Sequence, residues 1–218
     1  MAFLQAVIDG LLIGGVYAVI SIGLTLVYGV MGIINFAQAE FLMVGMLVAW
    51  FAWAMLGLDP VLAAPLSFAV AFVIGWFVQG QLISRVLKAP SVAQIFLTVG
   101  LLIVIENSAL LAFGSQFRSV TTWYQTISLS LGPLFVSVPY LIAFAMSLAC
   151  GVALWWFMRT SWFGRAMRGT AQNPGAAQLM GIDSALMYRM AFALGVGLTA
   201  FGGAVILPYV TVYPGVGG

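Results

Sequence analysis

This chain of 218 residues is 64% hydrophobic and only 6% charged, with a formal net charge of +2. Soluble domains carry about 25% charged residues, so this chain has too few polar side chains to cover a globule in water. Its main solvent must be lipid, which predicts an integral membrane protein. With no histidine and a single cysteine, Cys150, the sequence gives no indication of a zinc site or a thiol–imidazole pair.

Six continuous apolar runs follow one another along the chain, each about as long as a membrane-spanning helix needs to be. A β-barrel would show short alternating segments instead, so these runs predict an all-α polytopic membrane protein. The predicted spans are 8–28, 41–56, 61–82, 92–113, 134–157 and 188–210. They form a single transmembrane domain over residues 1–218. The turn-like stretch ending at Gly218 carries no closing charged segment, so we expect the natural chain to continue beyond it.

The basic side chains are divided unevenly between the loops. One, Arg118, lies in a loop on one side of the membrane. The other six lie in or beside loops 83–91 and 158–188, on the opposite side: Arg85, Lys88, Arg159, Arg165, Arg168 and Arg189. Because cytoplasmic loops carry an excess of Lys and Arg, we expect these two loops to be cytoplasmic and the amino terminus to be outside.

The loop 158–188 carries the signals of a short helix outside the membrane. Asn173 is a typical N-cap, and Pro174 suits the first helical position because its missing N–H would have no partner there. About two helical turns follow, Gly181 suits the position after the helix, and Asp183 can cap the sixth span.

Arg165 and Arg168 precede this short helix in the same loop. Spacing alone is compatible with an interfacial helix whose arginines reach the lipid headgroups. The alternative is a helix on which a cytoplasmic partner docks.

Five polar side chains interrupt or adjoin the apolar runs: Asn35, Gln38, Glu40, Glu106 and Asn107. An ionised carboxylate at the bilayer centre costs roughly 2.5–3.5 kcal/mol on insertion scales, so such groups face a bundle interior, a cavity or a partner. We therefore take these five as candidates for a solute path. For Glu106, a structural hydrogen bond between helices is the alternative.

The stretch INFAQAEF, residues 34–41, cannot be one polar face of a straight helix. At about 100° per residue, Asn35 and Gln38 lie about 60° apart, whereas Glu40 lies about 160° from Gln38. Gly29 and Gly32 just upstream favour an interrupted or re-entrant element. A simple turn between the first two spans is the alternative.

Small residues recur at helical spacing along the apolar runs. Gly10 and Gly14 form a GxxxG step, and Ala193 and Gly197 form an equivalent small-residue step. Because small residues let helix backbones approach each other in lipid, these steps predict a compact bundle.

The segment GAAQLMG, residues 175–181, resembles the EAAxxxG loop of ABC-importer permeases at Ala176, Ala177 and Gly181. Gly175 stands where the motif has Glu. Two longer blocks, GLTLVYGVMGIINFAQAEFLMVGMLVAW and FGRAMRGTAQNPGAAQLMGID, resemble the permease subunits of branched-chain amino acid ABC transporters. Urea and short-chain amide permeases share that family, and the similarity runs over essentially the whole chain.

The resemblance implies a permease subunit of a bacterial inner-membrane importer that translocates branched-chain amino acids or a related small polar solute. It implies a pore formed with a second related permease, two cytoplasmic ATPases and a periplasmic solute-binding protein. The ATPases would dock on loop 158–188. The docking residues that it implies there are Arg165, Arg168, Pro174, Ala176, Ala177 and Gly181.

ATP would be bound by the partner subunits, and we expect no cofactor in this chain. The only lysine, Lys88, has no glycine-rich loop before it, so the sequence lacks a GxxxxGK[ST] phosphate-binding loop. Nothing in the composition indicates a nucleic-acid partner.

Two other functional classes are considered. An ion-coupled secondary transporter would use Glu40 or Glu106 to exchange protons. An intramembrane enzyme is disfavoured because there is no histidine base and no Ser–Lys or paired-Asp arrangement.

Overall fold

The computed structural model describes residues 2–131 and 134–217, in which six helices are long and apolar enough to cross a membrane. This confirms the predicted all-α polytopic fold. The membrane helices are α1 (Ala2–Met31), α2 (Gln38–Leu56), α3 (Pro60–Val78), α5 (Ser91–Phe113), α6 (Val138–Thr160) and α9 (Ser184–Ile206). A π-helical turn (Gln79–Ile83) and the short α4 (Ser84–Val86) extend α3. Outside the spans lie α7 (Trp162–Gln172), α8 (Pro174–Leu179) and a hairpin of β1 (Ser128–Leu131) and β2 (Leu134–Ser137), with Ser128 paired to Ser137.

The sixth span, α9, is the centre of the bundle. In its most apolar window 83% of the residues are buried, against 17% for α5 and 11% for α6. Helices α1, α2 and α3 pack around it. Much of the surface of α5 and α6 is apolar and faces outward, as expected of helices solvated by lipid.

Small residues let the neighbouring helices touch α9 backbone to backbone. A Cβ on Gly45 would overlap the carbonyl group of Ala200, and one on Gly203 would overlap the carbonyl oxygen of Leu42. Gly197 likewise lies against Phe68, where a Cβ would be 3.0 Å from the ring. The compact bundle predicted from small residues is therefore present around α9.

The Gly10–Gly14 step does not take part in this packing, contrary to the sequence expectation. A Cβ on either residue would meet no atom within 4 Å among the described residues. The two glycines lie on an exposed face of α1, because the close crossing of α1 and α9 occurs further along, at Gly23 and Gly195.

The helical structure is interrupted between α1 and α2. Helix α1 ends at Met31, and Gly32 takes a positive φ of 69° that reverses the chain direction. The next five residues are non-helical, and α2 begins at Gln38. The break predicted from Gly29 and Gly32 is present, and its exact site is Gly32.

The segment after α9 also turns back toward the bundle. Val212 pairs with Arg118 in a short antiparallel bridge. Beyond it, Gly217 contacts the carbonyl group of Ala39, and Gly215 lies next to the Glu106 carboxylate. Residues 213–217 thus reach the start of α2 from the end of the bundle opposite the Gly32 turn.

The loop 158–188 folds into two helices. Asn173 caps α8 by accepting a hydrogen bond from the Ala176 N–H at 3.0 Å, and Asp183 caps α9 through the N–H groups of Ala185 and Leu186. Gly181 has the expected positive φ, 80°. The predicted short helix is confirmed, whereas α7 before it was not predicted.

Candidate functional site

The break between α1 and α2 carries polar side chains into the interior. Asn35 lies in the non-helical segment, and its side-chain N–H donates to Gln38 Oε1 at 3.0 Å. The backbone supports the same turn, because the Gln38 N–H donates to the Asn35 carbonyl at 3.1 Å. Asn35 is 2% exposed, Gln38 5% and Glu40 1%. All three can be buried together because Asn35 is not part of the helix that carries the other two.

Gln38 joins the start of α2 to the middle of α9. Its side-chain amide donates to the Gly195 carbonyl at 3.0 Å and to the Thr199 hydroxyl. Thr199 is fully buried and donates to the same Gly195 carbonyl at 3.2 Å. Gly23 of α1 lies opposite, where a Cβ would be 2.9 Å from the Thr199 hydroxyl. We call Asn35, Gln38, Glu40 and Thr199 the central polar site.

The central polar site lies deep in the bundle. Gly195 is the twelfth residue of α9, about 16 Å along the axis from Ser184 at a rise of 1.5 Å per residue. Because Gln38 contacts Gly195, residues 32–37 climb back from the end of α1 to the middle of the bundle. This geometry is a re-entrant break and not a surface turn, which decides between the two interpretations of INFAQAEF.

Two acceptors in the central polar site have no hydrogen-bond partner within the described chain, Asn35 Oδ1 and Glu40 Oε2. Buried polar atoms are nearly always paired, and an unpaired one marks either a cost or a site for an absent group. Both atoms are acceptors, so the group that they suit is a hydrogen-bond donor: a water, an ammonium group or an amide.

Glu106 and Asn107 are neighbours on α5, but their side chains have different surroundings. Gly215 covers the half-buried Glu106 carboxylate, a Cβ there lying 3.0 Å from Oε1, and Gly217 two residues later contacts Ala39 beside Glu40. Asn107 is exposed, and its side chain donates to the Ile103 carbonyl one turn earlier at 2.8 Å. The structure thus brings Glu106 toward the central polar site and leaves Asn107 outside it.

The two loop arginines support the end of α6. Arg165 donates to the Thr160 carbonyl at 2.6 Å, and Arg168 donates to the Met158 carbonyl. These carbonyls belong to the last turn of α6, where they lack helical partners and where cations are favoured. The side chains therefore fix the direction of α7 relative to the membrane helix.

The exposed surface at the end of α8 is apolar. Ala177 is buried and Ala176 is exposed. The largest exposed side chains are Leu179 and Met180, 90% and 82% exposed, at the end of the helix just before Gly181. They lie outside the membrane helices, and exposing such large apolar side chains to water costs free energy unless a partner covers them.

Sequence reasoning missed Thr199, Leu179 and Met180. Thr199 lies in the small-residue run GVGLTAFGG, where a single hydroxyl among glycines was the only signal. Leu179 and Met180 lie inside GAAQLMG itself, at the positions where the motif allows any residue.

The comparisons with known proteins agree on the family. The family model described as branched-chain amino acid transport system / permease component matches residues 6–217. The high-affinity branched-chain amino acid transport system permease protein BraD of Pseudomonas aeruginosa is 29% identical over 99% of this chain and 74% of its own length. The corresponding LivH of Escherichia coli is 30% identical over 94% of this chain and 70% of its own length.

A more distant relative is the probable branched-chain amino acid transport permease protein LivH of Methanocaldococcus jannaschii. It is 27% identical over 82% of this chain and 58% of its own length. No solved structure matches this chain. None of the matched proteins favours ion-coupled exchange. Since the family model covers nearly all of a six-span bundle, this chain belongs to the permease family of branched-chain amino acid ABC transporters.

Proposed function

We propose that this chain is a pore-forming subunit of an ATP-driven importer in the bacterial inner membrane. It works with a second related permease, two cytoplasmic ATPases and a periplasmic solute-binding protein. The observation that carries the proposal is α8, a capped helix outside the membrane spans whose Leu179 and Met180 are almost fully exposed. A membrane bundle with such a helix needs a soluble partner to cover it.

The ATPase is the partner that we assign to α8. This chain has no phosphate-binding loop, since Lys88, its only lysine, follows no glycine-rich turn. ATP-driven uptake would then take its energy from another subunit. Helix α8 is held rigidly for this role, because its caps fix both ends and Ser184 Oγ of α9 donates to the Pro174 carbonyl at 3.4 Å.

The solute path runs past the central polar site. Its solute is a branched-chain amino acid or a related small polar molecule with an ammonium or amide donor, because Asn35 Oδ1 and Glu40 Oε2 are unpaired acceptors there. Residues 32–37 approach the site from one side of the membrane and residues 213–217 from the other. These two segments are the parts of the chain whose movement would open the path, since neither is held by a helical hydrogen-bond ladder.

The orientation in this proposal places α7 and α8 in the cytoplasm and the amino terminus outside. Six of the seven basic residues then lie on or beside the cytoplasmic loops.

The docking claim is tested by replacing the exposed apolar tip of α8. Leu179→Ser and Met180→Ser should each lower the affinity of the ATPase for the membrane complex about tenfold, because buried apolar anchors carry most of the binding energy of an interface. The measurement is co-purification and titration of the ATPase with the detergent-solubilised permease.

Trp123→Ser is the matched control. Trp123 is 80% exposed in the loop before β1, on the opposite side of the membrane. Its replacement should leave ATPase binding unchanged. Equal ATPase affinity in the wild type and both α8 variants would contradict the proposal.

A further inference from the structure

A groove of about 560 Å³ lies beside α8 at the same end of the bundle. It is lined by α4 and the turn after it, by α8 and by the start of α9, and Met31 at the end of α1 completes the lining. We call it the basal groove. Its size is that of a small-ligand pocket and is too small for a protein helix with its side chains.

The basal groove is positively charged. Arg85 and Lys88 line it, both with exposed side chains, and Tyr188 adds a hydroxyl. No carboxylate lines it among the described residues. The nearest acid along the chain, Asp183, is engaged in capping α9, where it accepts from Ala185 and Leu186 at 2.9 and 3.2 Å.

The groove lies at the level where lipid headgroups begin. Met31 is the last residue of α1, Arg85 lies in the last turn of the third span, and Tyr188 lies near the start of α9. Three membrane helices therefore end around it. Basic pockets between membrane helices on the cytoplasmic side suit anionic lipid headgroups, and tyrosines are enriched at this depth.

We propose that the basal groove binds the phosphodiester headgroup of an anionic phospholipid. The Arg85 guanidinium and the Lys88 ammonium donate to the phosphate oxygens, and apolar groups such as Met31 and Leu87 contact the start of the acyl chains. Because Pro174 and Gln178 of α8 form one wall, a bound headgroup contacts both the membrane bundle and the docking helix. Lipid composition would then set how firmly α8 is held. This binding requires neither a solute nor the ATPase, so it stands or falls separately from the proposed function.

The test titrates the detergent-solubilised protein with phosphatidylglycerol, with phosphatidylcholine and with inorganic phosphate, and counts bound molecules by native mass spectrometry. The wild type should bind phosphatidylglycerol in preference to the other two. Arg85→Gln and Lys88→Gln should each weaken phosphatidylglycerol binding about fivefold, the contribution of one basic residue near a lipid surface. Lys88→Arg, which keeps the charge, should bind phosphatidylglycerol like the wild type.

Arg159→Gln is the matched control, since it removes the same charge from an exposed residue outside the groove that stacks on Trp155 at 5.2 Å. It should bind phosphatidylglycerol like the wild type. Equal binding in all variants would overturn the proposal. So would inorganic phosphate that binds as tightly as the lipid, which would indicate a free-anion site. Loss of ATPase binding in Arg85→Gln and Lys88→Gln with phosphatidylglycerol binding intact would assign the groove to an acidic protein segment instead.

Discussion

Gln38 and Glu40 lie two residues apart on α2, yet the structure gives them different environments. The Gln38 side chain has partners at both ends, since it accepts from Asn35 and donates to Gly195 and Thr199. Glu40 is equally buried and leaves Oε2 without a partner among the described residues. We infer that Gln38 holds the re-entrant segment in place and that Glu40 is the group available to a passing solute.

The polarity of Asn35, Gln38 and Glu40 could be read from the sequence, but their partners could not. Thr199 lies 161 residues from Gln38, and no local pattern links a buried amide to one hydroxyl in another helix. The same limit applies to glycine. Gly10 and Gly14 match the GxxxG spacing, but a Cβ on either would meet no described atom within 4 Å, whereas Gly45 and Gly203 belong to no GxxxG step and lie against the backbones of other helices.

The glycine contacts give a prediction for stability. Gly45→Ala places a methyl group against the backbone of Ala200, and such overpacking costs about 1–3 kcal/mol. For a chain of this size the melting temperature falls by about 2–4 °C per kcal/mol. Gly14→Ala is the control, because its methyl group meets no atom within 4 Å and alanine favours a helix by about 0.5–1 kcal/mol. Measured by thermal unfolding in detergent, the melting temperature should be lower than that of the wild type only for Gly45→Ala. Equal melting temperatures for the two variants would contradict the packing described.

At the scale of whole elements, local signals predicted much of the structure. The six apolar runs became six spans, and Asn173, Gly181 and Asp183 gave the ends of α8 and the start of α9 because capping acts through neighbouring residues. Helix α7 was missed although its start has a local signal: Ser161 caps it by accepting from the Gly164 N–H at 2.9 Å. Its contact with α6 is not local, since Arg168 reaches back ten residues to Met158. The return of residues 213–217 to Ala39 was missed because it depends on contacts distant in the chain.

The orientation in the membrane is predicted from the two loops rich in Arg and Lys. The structure places both loops at one end of the bundle, where residues 84–88 and 174–178 line a common groove. Their side of the membrane can be measured with two matched variants, Gln125→Cys and Gln172→Cys, in a Cys150→Ala background. Both glutamines are exposed, one in each set of loops. A membrane-impermeant maleimide should label Gln125→Cys in intact spheroplasts and Gln172→Cys only after lysis. The reverse pattern of labelling would contradict the proposed orientation.

At the scale of the whole molecule, the fold combines a tight centre with a loose periphery. Helix α9 is almost entirely enclosed by α1, α2 and α3, whereas α5 and α6 are covered over a small part of their surface. Polar groups are concentrated where the enclosed helices meet the break at Gly32. Helix α8 lies outside the spans, next to the first turn of α9. Helix α9 connects the polar interior to α8, since its first turn supports α8 and its middle binds Gln38.

The most direct test of the central claim is the rate of leucine uptake by proteoliposomes that contain the complete transporter with its ATPases and binding protein. Our account predicts uptake that requires ATP and falls at least tenfold in Glu40→Gln, a change that keeps the shape of the side chain and removes its charge. ATPase binding in that variant should equal that of the wild type. Uptake driven by a pH gradient without ATP, or full uptake by Glu40→Gln, would contradict the account.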